Sequence, residues 1–199
     1  MCIRDRSWLT APTPQLYVGA NMPQMLRMAA RVADGVMMSD MPPALAEVAL
    51  KQLSENLMDK ARSLNSFWSG SFAAWHVYAN KEQAWREACQ WMLLRGIFRP
   101  WILSSFLSAA EVKLVMANAQ SFVDAFVNGT HVIENIPEKL LDKLVKNLTL
   151  TGSLDDLDAL VAHLREYEAI GMQSVSLRIY TDPASSIKLI GEQLIPALN

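Results

Sequence analysis

The segment of this sequence best suited to ligand chemistry is the turn Gly19-Ala20-Asn21-Met22. The run before it, residues 15–20, is rich in aromatic and β-branched residues and predicts a buried strand. Pro23 follows and suits the first position of a helix. Free backbone N–H groups and the positive end of a helix dipole at such a junction favour a phosphate group. The turn is therefore a candidate phosphate site, and an ordinary strand-to-helix turn is the alternative.

Two further polar side chains lie near the ends of other predicted strands. Ser39 follows the short apolar strand at residues 36–38 and could bond a phosphate or a substrate hydroxyl. Arg178 is always charged, and its guanidinium forks well onto phosphate or carboxylate. The structural alternatives are a loop serine and an ion pair at the end of a strand.

The three histidines, His76, His131 and His163, are widely spread and match no metal-ligand spacing. No G-x-S-x-G nucleophile motif occurs in the sequence either. His76 lies in the third predicted strand, where it is either a proton carrier or a hydrogen-bonded core histidine. The sequence therefore predicts no metal site and identifies no catalytic acid or base.

The composition excludes several classes of protein. With 51% hydrophobic and 19% charged residues, a chain of 199 residues is expected to fold around a packed core. A net charge of -2 gives no electrostatic basis for binding nucleic acid or an anionic membrane. The most apolar stretch, residues 91–107, contains Arg95, Arg99 and Pro100 and so cannot span a bilayer as one helix. Only two cysteines occur, which excludes a disulfide framework and indicates a cytoplasmic setting.

Predicted strands and helices alternate along the chain. Strands at residues 15–20, 36–38, 71–78 and 174–180 are each followed by a helix, and several extra helices follow the third strand. Alternation of this kind predicts parallel strands with right-handed crossovers. Four such units could form an open doubly wound sheet or half of an eight-stranded barrel. A full barrel needs about 250 residues, so the half barrel fits this length better.

The last predicted strand has one aliphatic and one polar face. The aliphatic set is Val175, Leu177 and Ile179, and the polar set is Ser176, Arg178 and Tyr180. In a barrel the aliphatic face would meet the helices and the polar face would enter the lumen. Arg178 would then reach the mouth of the barrel, where barrel active sites lie.

Two long motifs resemble the luciferase-like monooxygenase family. The first is Leu16-Tyr17-Val18-Gly19-Ala20-Asn21-Met22-Pro23-Gln24-Met25-Leu26, followed by Ala33-Asp34-Gly35-Val36. The second begins at Thr151-Gly152-Ser153, continues through residues 167–171 and 176–183, and ends in the helix of residues 190–198. Together the motifs cover nearly all of residues 14–198, and their order and spacing are more specific than either motif alone.

The resemblance implies a (β/α)8 barrel with a helical insertion after strand seven. Residues 16–19 would be strand five, residues 174–180 strand eight, and residues 91–147 the insertion. Strands one to four have no counterpart, so the chain would be the C-terminal half of the barrel. The first six residues, MCIRDR, resemble translated sequencing adapter. We therefore expect a non-native or unstructured leader at residues 1–13 and a partial barrel domain at residues 14–199.

The resemblance also implies a function. Family members bind FMN or the deazaflavin coenzyme F420 at the barrel mouth, and they transfer hydride or activate oxygen on a small-molecule substrate. The cofactor-binding residues would be Gly19, Ala20, Asn21, Met22, Ser39 and Arg178, and the catalytic groups would lie in the absent half. Met22 departs from the family, which usually has glycine before the proline. A non-catalytic flavin-binding or structural module is therefore the alternative function.

The same resemblance predicts partners. The two outer strands of a half barrel are open edges, which favour association with another chain. The expected partners are the missing N-terminal half of the barrel or a second copy of this chain.

Overall fold

The computed structural model describes residues 14–199, and the predicted leader at residues 1–13 lies outside this range. Within it the chain forms five strands: β1 (Tyr17–Gly19), β2 (Gly35–Ser39), β3 (Trp68–Val77), β4 (Thr149–Gly152) and β5 (Ser174–Ile179). The helices are α1 (Pro23–Val32), α2 (Pro43–Met58), α3 (Lys81–Gln90), α4 (Pro100–Leu103), α5 (Ala109–Ala117), α6 (Ala119–Val127), α7 (Glu138–Leu148), α8 (Leu157–Ala169), α9 (Pro183–Leu189) and α10 (Ile195–Leu198).

All strand pairs in this sheet are parallel. Strand β1 pairs with β2, and β3 pairs with β2 along residues 68–72, with β4 along 74–77 and with β5 along 70–75. The stretch of β3 that pairs with β5 overlaps both the stretch that pairs with β2 and the stretch that pairs with β4. Because a strand has only two hydrogen-bonding edges, β5 lies on the opposite edge of β3 from β2 and β4. The main path is β1-β2-β3-β5, the consecutive order that the sequence predicts.

Strand β4 was not predicted, because the sequence pattern of residues 151–153 indicates only a segment that leads into the following helix. The strand has four residues and begins directly after α7, with no turn between them. It is nevertheless fixed in place, since Thr149 Oγ1 donates to the carbonyl of Val145 at 2.6 Å and lies 2.7 Å from Thr151 Oγ1.

The predicted helix boundaries differ from the structure at several points. The hydrophobic pattern predicts a helix over residues 44–63, which ends at Met58 in the structure, and one over 81–94, which ends at Gln90. It also predicts a helix over 111–127, which is divided at Asn118, whose backbone leaves the helical range (φ -110°, ψ 25°). The Asn118 side chain donates to the carbonyl of Leu114 at 2.9 Å and so competes for that acceptor with the N–H of Asn118 itself, which lies 3.2 Å from it.

One face of the sheet packs against helices. Val36 and Met38 are buried with residues of α1 and α2, and Trp75 and Val77 are buried with residues of α8. The three aliphatic residues of β5 contact these same clusters, as predicted. The other face carries Phe72 beside Ser176 and Ala74 beside Arg178 in register. On that face Tyr17 is 47% exposed and Phe72 is 42% exposed.

Helices α4 to α7 lie between β3 and β4 and have a hydrophobic cluster of their own. Met92, Ile102, Phe122 and Leu144 are all buried there with the C-terminal half of α3. Trp101 contacts both this cluster and the one under β2, so it joins the helical segment to the sheet. In residues 14–199 no helix is long and apolar enough to cross a membrane.

Candidate functional site

The turn after β1 is held in place by the strand beside it. The N–H of Ala20 donates to the carbonyl of Met37 at 3.1 Å. Asn21 Nδ2 donates to the Ser39 carbonyl at 2.7 Å, and the Ser39 N–H donates to Asn21 Oδ1 at 3.1 Å. The Asn21 side chain therefore joins the ends of β1 and β2. This amide has a structural role that the sequence analysis did not predict.

Helix α1 leaves backbone donors at this turn. Met22 is the N-cap residue, and its side chain does not cap the helix. The N–H of Leu26 makes the first helical bond, to the carbonyl of Met22 at 2.9 Å. The N–H groups of Gln24 and Met25 consequently have no intrahelical acceptor. At the other end of the turn, a Cβ placed on Gly19 would meet nothing within 4 Å, so this backbone borders open space.

Ser39 and Arg178 are both available to a ligand. No hydrogen bond within residues 14–199 involves the Ser39 hydroxyl, and Ser39 is partly exposed. Arg178 is exposed, and no carboxylate of the described residues lies within 4.0 Å of it. Its guanidinium carbon lies 5.4 Å from the centre of the Tyr180 ring, a cation–π contact. The described part of the chain thus gives Arg178 an aromatic support and no ion pair.

A buried arginine that the sequence analysis did not select connects the ends of two strands. Arg95 is only 2% exposed. Its Nη1 donates to Asp40 Oδ1 at 2.8 Å, and its Nη2 donates to the Tyr180 hydroxyl at 2.5 Å. Asp40 follows β2 and Tyr180 follows β5, so Arg95 connects the carboxyl ends of these two strands. Burial raises the pKa of Asp40, while the guanidiniums of Arg95, Arg99 and Arg178 act to lower it.

His76 is part of a second buried polar group at the same edge. Its Nδ1 lies 2.7 Å from Glu87 Oε2, which also accepts a hydrogen bond from the Tyr78 hydroxyl at 2.5 Å. The imidazole stacks on the Tyr180 ring with centroids 5.0 Å apart. Burial lowers the pKa of His76, and its bond to Glu87 opposes that effect. Of the two alternatives for His76, the structure shows a hydrogen-bonded core histidine.

The predicted residues therefore lie at the same end of the sheet, where the strands reach their carboxyl ends. Because the strands are parallel, the carboxyl ends of β1, β2 and β5 all lie at the same end of the sheet. The Asn21 bonds join the turn to Ser39, and the Arg95 bonds join Asp40, the next residue, to the Tyr180 ring that supports Arg178. Among residues 14–199 no cluster of histidine, cysteine or carboxylate side chains is arranged to hold a metal ion.

Comparison with known proteins identifies the family. A family model described as luciferase-like monooxygenase matches residues 3–174. The chain belongs to the luciferase-like monooxygenase family. This confirms the resemblance inferred from the two motifs. A family relative, the 5,10-methylenetetrahydromethanopterin reductase of Archaeoglobus fulgidus, is 24% identical over an alignment of 194 residues that covers 92% of this chain and 54% of the reductase.

Solved structures of similar fold include F420-dependent and FMN-binding enzymes. The coenzyme F420 dependent tetrahydromethanopterin reductase from Methanopyrus kandleri has a TM-score of 0.71 at 18% identity, covering 93% of this chain and 51% of its own. An F420-dependent secondary alcohol dehydrogenase has a TM-score of 0.63 at 14% identity, covering 94% and 50%. The oxygenating constituent of 3,6-diketocamphane monooxygenase from Pseudomonas putida, solved with FMN, has a TM-score of 0.53 at 15% identity, covering 99% and 54%. The chain thus spans about half the length of these relatives.

Proposed function

We propose that this chain is the C-terminal half of a (β/α)8 barrel in a flavin- or deazaflavin-dependent oxidoreductase. The consecutive parallel order β1-β2-β3-β5 supports the assignment of these four strands as strands five to eight of such a barrel. Helices α4 to α7 would be the insertion after strand seven. The match to about half of each relative supports the same arrangement.

The proposed ligand is FMN or coenzyme F420, with its phosphate at the turn of residues 19–22. One observation carries this proposal: donors that have no acceptor among residues 14–199 lie at the carboxyl end of one parallel sheet. They are the first N–H groups of α1, the Ser39 hydroxyl and the Arg178 guanidinium. The open space beside Gly19 fits the close approach of a phosphate to the backbone.

The residues of this chain would bind and orient the cofactor. Asn21 fixes the turn relative to β2, and Arg178, supported by Tyr180, neutralises an anionic group of the ligand. When bound, the flavin or deazaflavin ring supplies the hydride transfer or oxygen activation. The acid or base of that chemistry is assigned to the half of the barrel that this chain lacks.

A non-catalytic flavin-binding or structural module is the second candidate. The observation that favours it is Met22, whose side chain is 47% exposed beside the phosphate turn. The backbone there is extended (φ -108°, ψ 152°), a conformation that any residue adopts, so the missing glycine does not strain the turn. Mixing a full-length protein that contains both halves of the barrel with reduced FMN or F420, and following cofactor reoxidation, separates turnover from binding alone.

Titration with FMN and with riboflavin tests the phosphate site, because the two flavins differ only in the phosphate. We expect wild-type protein to prefer FMN and Arg178→Met to lose about tenfold or more of that preference, since a charge-assisted hydrogen bond contributes about 1.5–3 kcal/mol. Arg165→Met, an arginine of α8, is the matched control and should keep the preference. Equal affinity for both flavins, or binding of neither flavin nor F420, would contradict the proposal.

A further inference from the structure

Three arginine guanidiniums lie around Asp40, the residue that follows β2. Arg95 holds the Asp40 carboxylate directly, with Nη1 and Oδ1 2.8 Å apart, and both side chains are buried. Arg99 follows in the same turn of chain, where its N–H donates to the carbonyl of Gly96 at 2.9 Å. Burial raises the pKa of Asp40, and the charges of Arg95, Arg99 and Arg178 all act to lower it. The three positive charges therefore surround one buried carboxylate.

The Tyr180 ring holds two of these guanidiniums beside each other. Its hydroxyl accepts a hydrogen bond from Arg95 Nη2. The guanidinium carbons of Arg95 and Arg178 lie 5.7 Å and 5.4 Å from the centre of the ring. The ring itself is fixed, because it stacks on His76 and packs against Trp91 with centroids 4.6 Å apart. The two like charges are therefore held close together by the protein.

This cluster has an excess of positive charge. Three guanidiniums against the one carboxylate of Asp40 leave two positive charges, although the whole chain has a net charge of -2. Glu87, another carboxylate near Tyr180, is bonded to His76 and Tyr78. Even when the charge of Glu87 is included, the positive charge is larger.

The cluster also has donors for a ligand. Arg99 and Arg178 are both exposed, and no carboxylate of residues 14–199 lies within 4.0 Å of either guanidinium. Nε of Arg95 is buried and has no acceptor in the same part of the chain. Guanidiniums that are held together without a counterion favour an oxyanion from solution, onto which each can fork.

The cluster adjoins the turn of residues 19–22. Ser39, the residue before Asp40, is joined to Asn21 of that turn by hydrogen bonds of 2.7 Å and 3.1 Å. An anion bound at Arg99 and Arg178 therefore lies at the same end of the sheet as the free N–H groups of α1.

We propose that Arg99 is a second arginine that binds the phosphate of the ligand, together with Arg178. Arg99 belongs to the helical segment between β3 and β4, directly before α4, so that segment contributes to the ligand site as well as packing on the sheet. The identity of the ligand rests on the proposed function. The anion site itself does not depend on a flavin.

Titration with FMN and with riboflavin tests Arg99, because only FMN has the phosphate. We expect Arg99→Met to lose about tenfold or more of the preference for FMN. Arg99→Lys keeps the charge without the fork and should lose less. Arg86→Met is the matched control, since Arg86 is an exposed arginine of α3 that is paired with Glu82. An Arg99→Met protein that keeps the wild-type preference would overturn the proposal.

Inorganic sulfate tests the anion site without a flavin. Sulfate at low concentration should raise the melting temperature of the wild-type chain and of Arg86→Met more than that of Arg99→Met or Arg178→Met. The variants must be compared with one another, because sulfate also stabilises proteins without a specific site. Equal gains in all four proteins would overturn the anion site, and far-UV circular dichroism checks that each variant is folded.

The two tests separate this inference from the proposed function. A sulfate effect that depends on Arg99, in a protein that does not prefer FMN, would refute the proposed function and keep the anion site. A preference for FMN that is lost with Arg178→Met and unchanged with Arg99→Met would keep the proposed function and refute the role of Arg99.

Discussion

Breaking the ion pair between Arg95 and Asp40 is expected to cost more stability than any surface change. The two side chains are 2% and 9% exposed, and Nη1 and Oδ1 are 2.8 Å apart. Asp40→Asn keeps the shape of the residue and tolerates its left-handed backbone (φ 55°). It leaves the Arg95 charge buried without a counterion, for which we expect a loss of about 3–5 kcal/mol in the free energy of unfolding.

Two further variants separate the contributions to this figure. Tyr180→Phe removes only the second acceptor of Arg95, the hydroxyl at 2.5 Å, and should cost about 1.5–3 kcal/mol. The double variant Asp40→Asn with Arg95→Met removes both charges. Burial raises the pKa of Asp40 in spite of three nearby guanidiniums, so desolvation of the carboxylate opposes the attraction within the pair. The double variant should therefore be less destabilised than Asp40→Asn alone.

Urea unfolding at pH 7, followed by tryptophan fluorescence and circular dichroism, measures these free energies when the denaturant slopes agree between variants. Asp59→Asn is the matched control; this exposed aspartate follows α2 and should change stability by less than about 0.5 kcal/mol. A loss below about 1 kcal/mol for Asp40→Asn would refute the argument. So would a double variant whose loss equals the sum of the losses measured for Asp40→Asn alone and for Arg95→Met alone.

Two other predictions concern pH and helix capping. Burial lowers the pKa of His76 in the folded state below its ordinary 6.5, so the unfolded chain takes up the proton first and stability is lost as the pH falls below that value. His76→Phe should make the urea midpoint less pH-dependent in this range, and an unchanged slope would contradict the assignment. Ser108→Ala removes the side chain that accepts from the N–H of Glu111 in a capping box and should cost about 1 kcal/mol in the same unfolding assay. A cost near zero would show that this cap is not stabilising.

Local patterns were sufficient for the elements with a clear period or turn. The alternation in β5 predicted which of its side chains face the helices, and the glycine and proline around residues 19–23 marked the first strand and helix. Strand β4 has only four residues and no turn before it, so its position depends on pairing with β3. The break at Asn118 depends on a side-chain bond that competes with the helix, which a hydrophobic pattern does not show.

Local sequence patterns could not identify the residues that connect the carboxyl ends of the strands. Arg95 is 55 residues from Asp40 and 85 from Tyr180 along the chain. Sequence spacing does not predict contacts between residues so far apart in the chain, because only the folded topology brings these segments together. Two signals were present. Arg95 interrupts the most apolar stretch of the chain, and Glu87 lies within the buried stripe of α3, beside Ala84 and Ala88. A charge in a buried stripe requires a partner, and both residues have one.

The position of Arg95 also explains how the helices after β3 are connected to the proposed site. Arg95 lies at the start of that helical segment, and its two donated bonds reach the residues that follow β2 and β5. The Tyr180 ring that accepts one of these bonds also supports Arg178 and stacks on His76. Loss of the Arg95 charge would therefore remove the hydrogen bond that holds the Tyr180 ring beneath Arg178. It would also leave Asp40 without its ion-pair partner. It follows that the stability of this ion pair and the preference for FMN over riboflavin should change together.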